Sequence, residues 1–205
     1  PIFKDEPDVK TAIETDVDLV CFSGDKLMGG PQAGIIAGKK EYIDKLRKNP
    51  LHRALRVCKL SLALLETNCS YFLNRDELVK KNMVYKLLNT SIKDLNKKAE
   101  KLAKHLKKQK IECSVIKNKT QVGGGSIPEQ FIESRAVVID KNNLSNKKRS
   151  EYAEQMFAGL LQCDIPVVSV IAQSNILFDV LTIFDNELIT AADNIVYVNR
   201  KMSNY

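Results

Sequence analysis

The chain has 205 residues, of which 44% are apolar and 28% charged, and its formal net charge is +7. This length predicts one sizeable domain, or one with a small second domain, and the composition is that of an ordinary soluble globular protein. No apolar run reaches the length of a membrane span, and the first ten residues lack the apolar stretch of a signal peptide, so no membrane partner is expected.

The cysteines indicate a reducing compartment. None of them forms a C-x-x-C pair, and only His52 and His105 are available as histidine ligands for a metal. An odd number of widely spaced thiols argues against both a disulfide framework and a zinc site. We therefore expect a cytoplasmic protein without a bound metal. The five thiols are Cys21, Cys58, Cys69, Cys113 and Cys163.

The N-terminal part predicts two strands followed by helices. VDLVCF (17–22) is typical of a strand buried on both faces, as in a parallel sheet, and AGIIAG (33–38) predicts a second strand. KKEYIDKLRKN (39–49) predicts a helix, PLHRALRV (50–57) a basic connection, and KLSLALLETNCSYFL (59–73) a buried helix, because it is long and strongly apolar. The residues that follow predict a looser surface connection that contains helix.

The residues from Ser91 onward predict a small α+β domain with a mixed or antiparallel sheet. Apolar residues at spacings of three and four mark one helical stripe, and Ser91 with Asp94 suggests a capping box at its start. The predicted elements are a helix from 92, strands at 111–117 and 134–140 joined through a glycine-rich bend at 120–128, a helix at 145–162, a hairpin of 165–172 and 175–184, and a last helix at 185–198.

Lysine is concentrated in one segment. Between Val79 and Lys119 there are 13 lysines and three acids, so the rest of the chain has a net charge of −3. The ordinary interpretation is the solvated face of a helix, because the apolar stripe of that helix is intact. Contact with nucleic-acid phosphates is the alternative.

The stretch CFSGDKLMGGPQAG (21–34) contains the main candidate for chemistry, Lys26. One interpretation is an exposed lysine in a glycine-rich turn. A phosphate-binding loop is disfavoured, because the lysine precedes the paired glycines and no Ser or Thr follows it. The third is a Schiff-base lysine for pyridoxal 5′-phosphate, with the Ser23 hydroxyl near the cofactor phosphate.

The residues around this lysine resemble those of a known family. FSGDKLMGGPQAGIIAGKKEYIDKLRKNPLHRALRVCKL (22–60) is similar to the pyridoxal-lysine region of the bacterial selenocysteine synthases, the L-seryl-tRNA(Sec) selenium transferases. The likeness continues through TQVGGGSIP to the closing strands. It implies an α/β fold: residues 1–90 are the end of the large domain of a fold-type I pyridoxal-phosphate enzyme, and residues 91–205 a small α+β C-terminal domain.

The resemblance implies roles for the residues of the lysine motif. Lys26 is expected to bind pyridoxal 5′-phosphate and then to act as the proton shuttle. Ser23, Gly24 and Gly30 are expected to contact the cofactor, and Asp25 to orient the lysine.

The resemblance also implies roles for two arginines and names partners. Arg53 and Arg56 are expected to bind the anionic selenium donor, selenophosphate, because the planar guanidinium suits phosphate oxygens. Their spacing places both on one face if the segment is helical. The alternative is two surface arginines. The further implied partners are seryl-tRNA(Sec) and other copies of the chain in a homo-oligomer.

The implied function is pyridoxal-phosphate-dependent conversion of seryl-tRNA(Sec) to selenocysteinyl-tRNA(Sec). The chain is about half a family member, so we expect a truncated or split portion. The alternatives are an inactive remnant, a subunit that needs a separate N-terminal half, and a related lyase acting on a small amino acid.

Four positions depart from the family pattern. Cys58 stands where an acid is expected, Ser169 and Val170 replace a Gly-Arg pair, and Leu181 replaces an arginine. If those arginines clamp substrate, this chain is expected to do so weakly.

Overall fold

A computed structural model describes residues 8–121 and 131–203. These residues divide into two compact units, the first formed by residues 8–89 and the second by residues 90–121 and 131–203. The glycine triplet at 123–125, predicted to form a bend, lies outside the described residues.

The first unit contains a two-stranded antiparallel sheet and short helices. The strands pair from Leu19 opposite Gly38 to Ser23 opposite Gly34. Asparagine side chains accept a backbone N–H at three helix starts, which is a favoured way to begin a helix. The elements are α1 (Val9–Glu14), β1 (Leu19–Ser23), β2 (Gly34–Gly38), α2 (Lys40–Lys48), α3 (Pro50–Leu55), α4 (Lys59–Tyr71), α5 (Arg75–Lys81) and α6 (Met83–Leu88).

Two elements of the first unit form where they were predicted, but their expected burial was wrong. β1 is not a doubly buried strand of a parallel sheet: it pairs antiparallel with β2, and its residues are half-buried or exposed. The ten-residue loop between the two strands is too short for a parallel crossover with its own helix. The predicted helix at 59–73 does form as α4, but Asn68 is its only buried residue among those described.

Two further elements of the first unit differ from the sequence expectation. Residues 50–57 are not a plain connection, because α3 forms within them. The Asn49 side chain accepts from Leu51 N, and Pro50 occupies the first helical position, where its missing N–H costs nothing. The helix α1 was not predicted, and its start is capped by Asp8, whose side chain accepts from Thr11 N.

The second unit has the predicted order of elements. Its four strands form one sheet in the order β3-β4-β6-β5. All pairs of described strands are antiparallel, so this sheet is antiparallel and not mixed. The predicted Ser91 cap is confirmed, since its Oγ accepts from Asp94 N at 3.1 Å. The elements are α7 (Ile92–Lys108), β3 (Cys113–Gln121), β4 (Phe131–Ile139), α8 (Asn146–Leu161), β5 (Val170–Ala172), β6 (Asn175–Asp179) and α9 (Leu188–Ser203).

The apolar core lies in the second unit. The predicted stripe of α7 is buried there against the sheet and the other helices, and most of the lysines on its remaining faces are exposed. Full burial of each large aliphatic side chain contributes about 1.5–3 kcal/mol. In the first unit, by contrast, Ala33 and Leu78 are the buried apolar side chains among the described residues. The fully buried side chains of the second unit include Leu95, Leu102, Leu106, Met156, Phe178 and Ile195.

Candidate active site

The candidate site is built on the loop between β1 and β2. The strand pairing ends at Ser23 and Gly34. Gly24 then holds the loop at both of its backbone groups: its N–H donates to Ala33 O at 2.8 Å, and its carbonyl accepts from Gly30 N at 2.7 Å. The loop is therefore closed on itself directly beyond the end of the sheet.

Lys26 lies in a tight turn within this closed loop. Its carbonyl accepts from Gly29 N at 2.8 Å, and Gly29 has a φ of +65°, a conformation that suits glycine. Lys26 and Asp25 are exposed, whereas Ser23 is half-buried at the strand end. The structure thus presents a primary amine on a hydrogen-bonded turn, three residues after a hydroxyl.

Two buried asparagines support the turn from inside the unit. Nδ2 of Asn68 and Nδ2 of Asn82 each donate to the Met28 carbonyl, both at 2.9 Å. The sequence analysis did not single out either residue. Asn68 is one of several polar residues in the mainly apolar segment 59–73, so the sequence does not single it out, and the partner of Asn82 is 54 positions away.

The two predicted anion-binding arginines do not share a helix face. Arg53 lies in α3, but Arg56 follows the end of that helix with an extended backbone, φ −63° and ψ 139°. The condition for a shared face, that the segment is helical through both residues, is therefore not met at Arg56. Both side chains are exposed. Among the described residues no hydrogen bond or ion pair connects either arginine to Lys26, and neither guanidinium is paired with a carboxylate.

Cys58, which replaces an expected acid, begins α4. Its Sγ accepts from Ser61 N at 3.4 Å and lies 3.4 Å from Ser61 Oγ. These contacts with the Ser61 side chain and backbone lower the pKa of the Cys58 thiol. A carboxylate at this position would cap the helix in the same way, so the departure preserves the cap with a weaker acceptor.

The departures in the second unit do not form a polar site. Leu181 is 4% exposed and packs in the apolar core, while its N–H donates to Asp179 Oδ1 at 2.8 Å. Ser169 is buried, and its Oγ finds no hydrogen-bond partner in the described part of the chain. Val170 begins the edge strand β5 and is 55% exposed.

The loop carries two groups that fit an aldehyde cofactor with a phosphate. They are the amine of Lys26, which can attach an aldehyde, and the hydroxyl of Ser23, which can bind a phosphate oxygen. Within residues 8–121 and 131–203 no group of three or more His, Cys, Asp or Glu side chains lies together as metal ligands. Lys26 and Ser23 fit the attachment of pyridoxal phosphate.

Comparison with known proteins places this loop in a family. A family model described as L-seryl-tRNA selenium transferase matches residues 2–184, which include the Lys26 loop, α3 and β1 to β6. The chain belongs to the L-seryl-tRNA selenium transferase family. The resemblance predicted from residues 22–60 is therefore confirmed.

Curated selenium transferases match nearly all of this chain but less than half of their own length. L-seryl-tRNA(Sec) selenium transferase of Aquifex aeolicus is 42% identical over 188 residues, covering 91% of this chain and 39% of the relative. That of Carboxydothermus hydrogenoformans is 36% identical over 185 residues, and that of Alkaliphilus metalliredigens 34% over 186. The chain thus spans about two fifths of the length of these selenium transferases.

A solved structure shares the fold. The structure of D-glucosaminate-6-phosphate ammonia-lyase aligns with a TM-score of 0.62 over 92% of this chain and 45% of the lyase, at 15% identity. The likeness supports the fold alone. The architecture is accordingly a mixture of helices and antiparallel sheets.

None of the described helices is long and apolar enough to span a bilayer.

Proposed function

We propose that this chain contributes the lysine side of the cofactor site to a pyridoxal-phosphate-dependent selenium transferase that converts seryl-tRNA(Sec) to selenocysteinyl-tRNA(Sec). The observation that supports this most directly is the Lys26 turn: a lysine on a loop closed by Gly24, inside a segment that matches the family. The chain spans about 39% of its Aquifex aeolicus relative, so the complete activity requires the remaining part of the site.

The lysine motif supplies attachment and proton transfer. Nζ of Lys26 would hold the cofactor through its aldehyde carbon, and Asp25 beside it would orient the amine. The hydroxyl of Ser23 would hold the cofactor phosphate. When bound, pyridoxal phosphate would supply an electron sink for the α-carbon of the substrate. Nζ of Lys26 would also be the group that moves the α-proton.

The glycines and arginines have separate roles in this proposal. Gly24 and Gly30 keep the backbone close to the cofactor, and Arg53 and Arg56 bind the phosphate oxygens of selenophosphate. The arginines suit this role because both are exposed and neither is paired with a carboxylate in the described part of the chain. One arginine of this anion site would come from α3 and the other from the extended segment that follows α3.

The same proposal covers the parts of the molecule. Residues 1–90 are the end of a fold-type I large domain and residues 91–205 its small α+β domain, a division supported by the two compact units. We further propose a cytoplasmic homo-oligomer, in line with five free thiols and the family.

Cofactor attachment provides the test. Purified chain is mixed with pyridoxal phosphate, the C=N bond is reduced with borohydride, and the labelled peptide is identified by mass spectrometry. We expect one label, on Lys26, and its loss in Lys26→Ala. The control is Lys40→Ala, an exposed lysine paired with Asp44 beyond β2, which should label like the wild type. Absent labelling at saturating cofactor, or labelling that survives Lys26→Ala, contradicts the proposal.

A further inference from the structure

We propose that Asn68 and Asn82 are positioning residues that hold the Lys26 turn in one conformation. The role concerns the backbone two residues after the lysine, at Met28, and no contact with cofactor or substrate is involved. The inference rests on the proposed role of Lys26, since a fixed amine matters only if the amine reacts.

The two asparagines and Met28 form a closed hydrogen-bond network. Asn68 Nδ2 and Asn82 Nδ2 both donate to Met28 O at 2.9 Å, and Asn82 Nδ2 also donates to Asn68 Oδ1 at 2.8 Å. The carbonyl of Met28 thus accepts two hydrogen bonds, and both N–H groups of the Asn82 amide are used. Each of the three groups is held by the other two.

Burial makes this network difficult to break. Asn68 is 6% exposed and Asn82 is 3% exposed, so water cannot readily replace a lost partner. A buried polar group left without a partner costs about 1–3 kcal/mol. A shift of the turn away from the two amides would leave several such groups at once, and the turn is therefore held where it is.

The paired glycines allow the backbone to approach these amides. A Cβ at Gly29 would lie 2.6 Å from Asn82 Oδ1, and a Cβ at Gly30 would lie 2.9 Å from Asn68 Nδ2. Each glycine therefore faces one of the two asparagines at a distance that excludes a side chain. The Gly-Gly pair after Lys26 serves close packing and restricts movement of the turn.

The network connects the turn to separate helices. Asn68 lies within α4, and Asn82 joins α5 to α6, where its Oδ1 also accepts from Tyr85 N at 3.2 Å. Pre-organising a reactive group in this way removes the cost of ordering it during reaction. Asn68 and Asn82 thereby fix the backbone from which the Lys26 side chain extends.

The double role of Asn82 permits a selective variant. Asn82→Asp keeps an oxygen that can cap α6 but removes both donors and places a carboxylate near Met28 O. Asn68→Asp likewise keeps the acceptor for Asn82 and removes the donor. The matched control is Asn74→Asp, which keeps the cap of α5 and has no hydrogen bond to the turn among the described residues.

Hydrogen exchange of the cofactor-free chain is the first measurement. The Gly29 and Gly30 amides both donate within the loop, so their exchange reports whether the turn is held. We expect exchange at least tenfold faster at these two amides in Asn82→Asp and in Asn68→Asp, with wild-type rates in Asn74→Asp. Unchanged rates in both Asp variants, or an equal rise throughout residues 8–89, overturn the positioning role.

The second measurement is the spectrum of the lysine-bound cofactor as a function of pH. The pH midpoint of the spectral change should shift in Asn82→Asp and should equal the wild-type midpoint in Asn74→Asp. The reason is that a displaced Lys26 nitrogen would have different polar and charged groups around it. A midpoint that does not move overturns the positioning role even if exchange has changed. Failure of wild-type Lys26 to bind the cofactor instead disproves the proposed function, while the exchange data still report on the network itself.

Discussion

Gly29 shows at a single residue why the loop sequence is so restricted. Its φ of +65° disfavours any side chain, and the space where a Cβ would stand is filled by the Asn82 amide. Sequence analysis predicted glycines that free the backbone near Lys26. It could not predict that Asn82, more than fifty positions away, occupies that space, because the contact depends on the tertiary fold.

Gly29→Ala should destabilise the first unit by roughly 1–2 kcal/mol from backbone strain alone, because a left-handed conformation costs a non-glycine residue about this much. Displacement of the Asn82 amide adds to the loss. The measurement is urea unfolding with hydrogen exchange of residues 24–38.

The matched control for this substitution is Gly34→Ala. Gly34 begins β2, and a Cβ there would meet nothing within 4 Å. Gly34→Ala should lower the free energy of unfolding far less than Gly29→Ala does. Equal losses for the two variants would show that the conformation of Gly29 has no special importance.

At the scale of elements, the predictions that depended on local pattern were the successful ones. The stripe of α7, its Ser91 cap and the order of elements that follows are repeated in the structure, because periodicity and capping act over a few residues. The burial of α4 was predicted wrongly, since burial depends on what lies opposite. The missed helix α3 could have been predicted from Asn49 and Pro50.

Cys58→Asp should stabilise α4. A carboxylate is a stronger acceptor than a thiol at a helix N-cap and interacts favourably with the helix dipole, so we expect a gain of about 0.5–1 kcal/mol. The measurement is the exchange protection of the α4 amides in the full chain.

The control for the cap is Cys69→Ser, which alters an exposed thiol inside α4 away from its start. It should leave α4 protection near the wild-type level, and Cys58→Ala should lower it. If Cys58→Asp is no more protected than Cys58→Ala, the side chain at position 58 does not cap the helix.

Over the whole molecule, the apolar surface is distributed unevenly. The second unit buries a continuous core, whereas Leu60, Leu62 and Leu64 on α4 are 70%, 54% and 50% exposed. A helix that is apolar on all sides is normally buried. The burial that the sequence predicted for α4 is therefore absent, because the described part of this chain does not cover these leucines.

We expect the purified chain to self-associate through α4. Leu60→Lys with Leu64→Lys places two charges on one side of this helix, and should shift the chain toward the monomer in light scattering after size-exclusion chromatography.

Val168→Lys is the control for this shift, because Val168 is 78% exposed but belongs to the second unit. It should leave the measured mass unchanged. A wild-type chain that is monomeric at all concentrations, or a double variant with the wild-type mass, contradicts association through α4.

The unequal cores of the two units also bear on how the chain is synthesised. The segment with Lys26 leaves the ribosome before the second unit does, but it buries little apolar surface among its own described residues. Folding during translation normally proceeds domain by domain from the N-terminus. Here the segment that is made earlier has few buried apolar side chains of its own while the second unit is still being made. The segment with Lys26 is therefore expected to depend on chaperones more strongly than the second unit does.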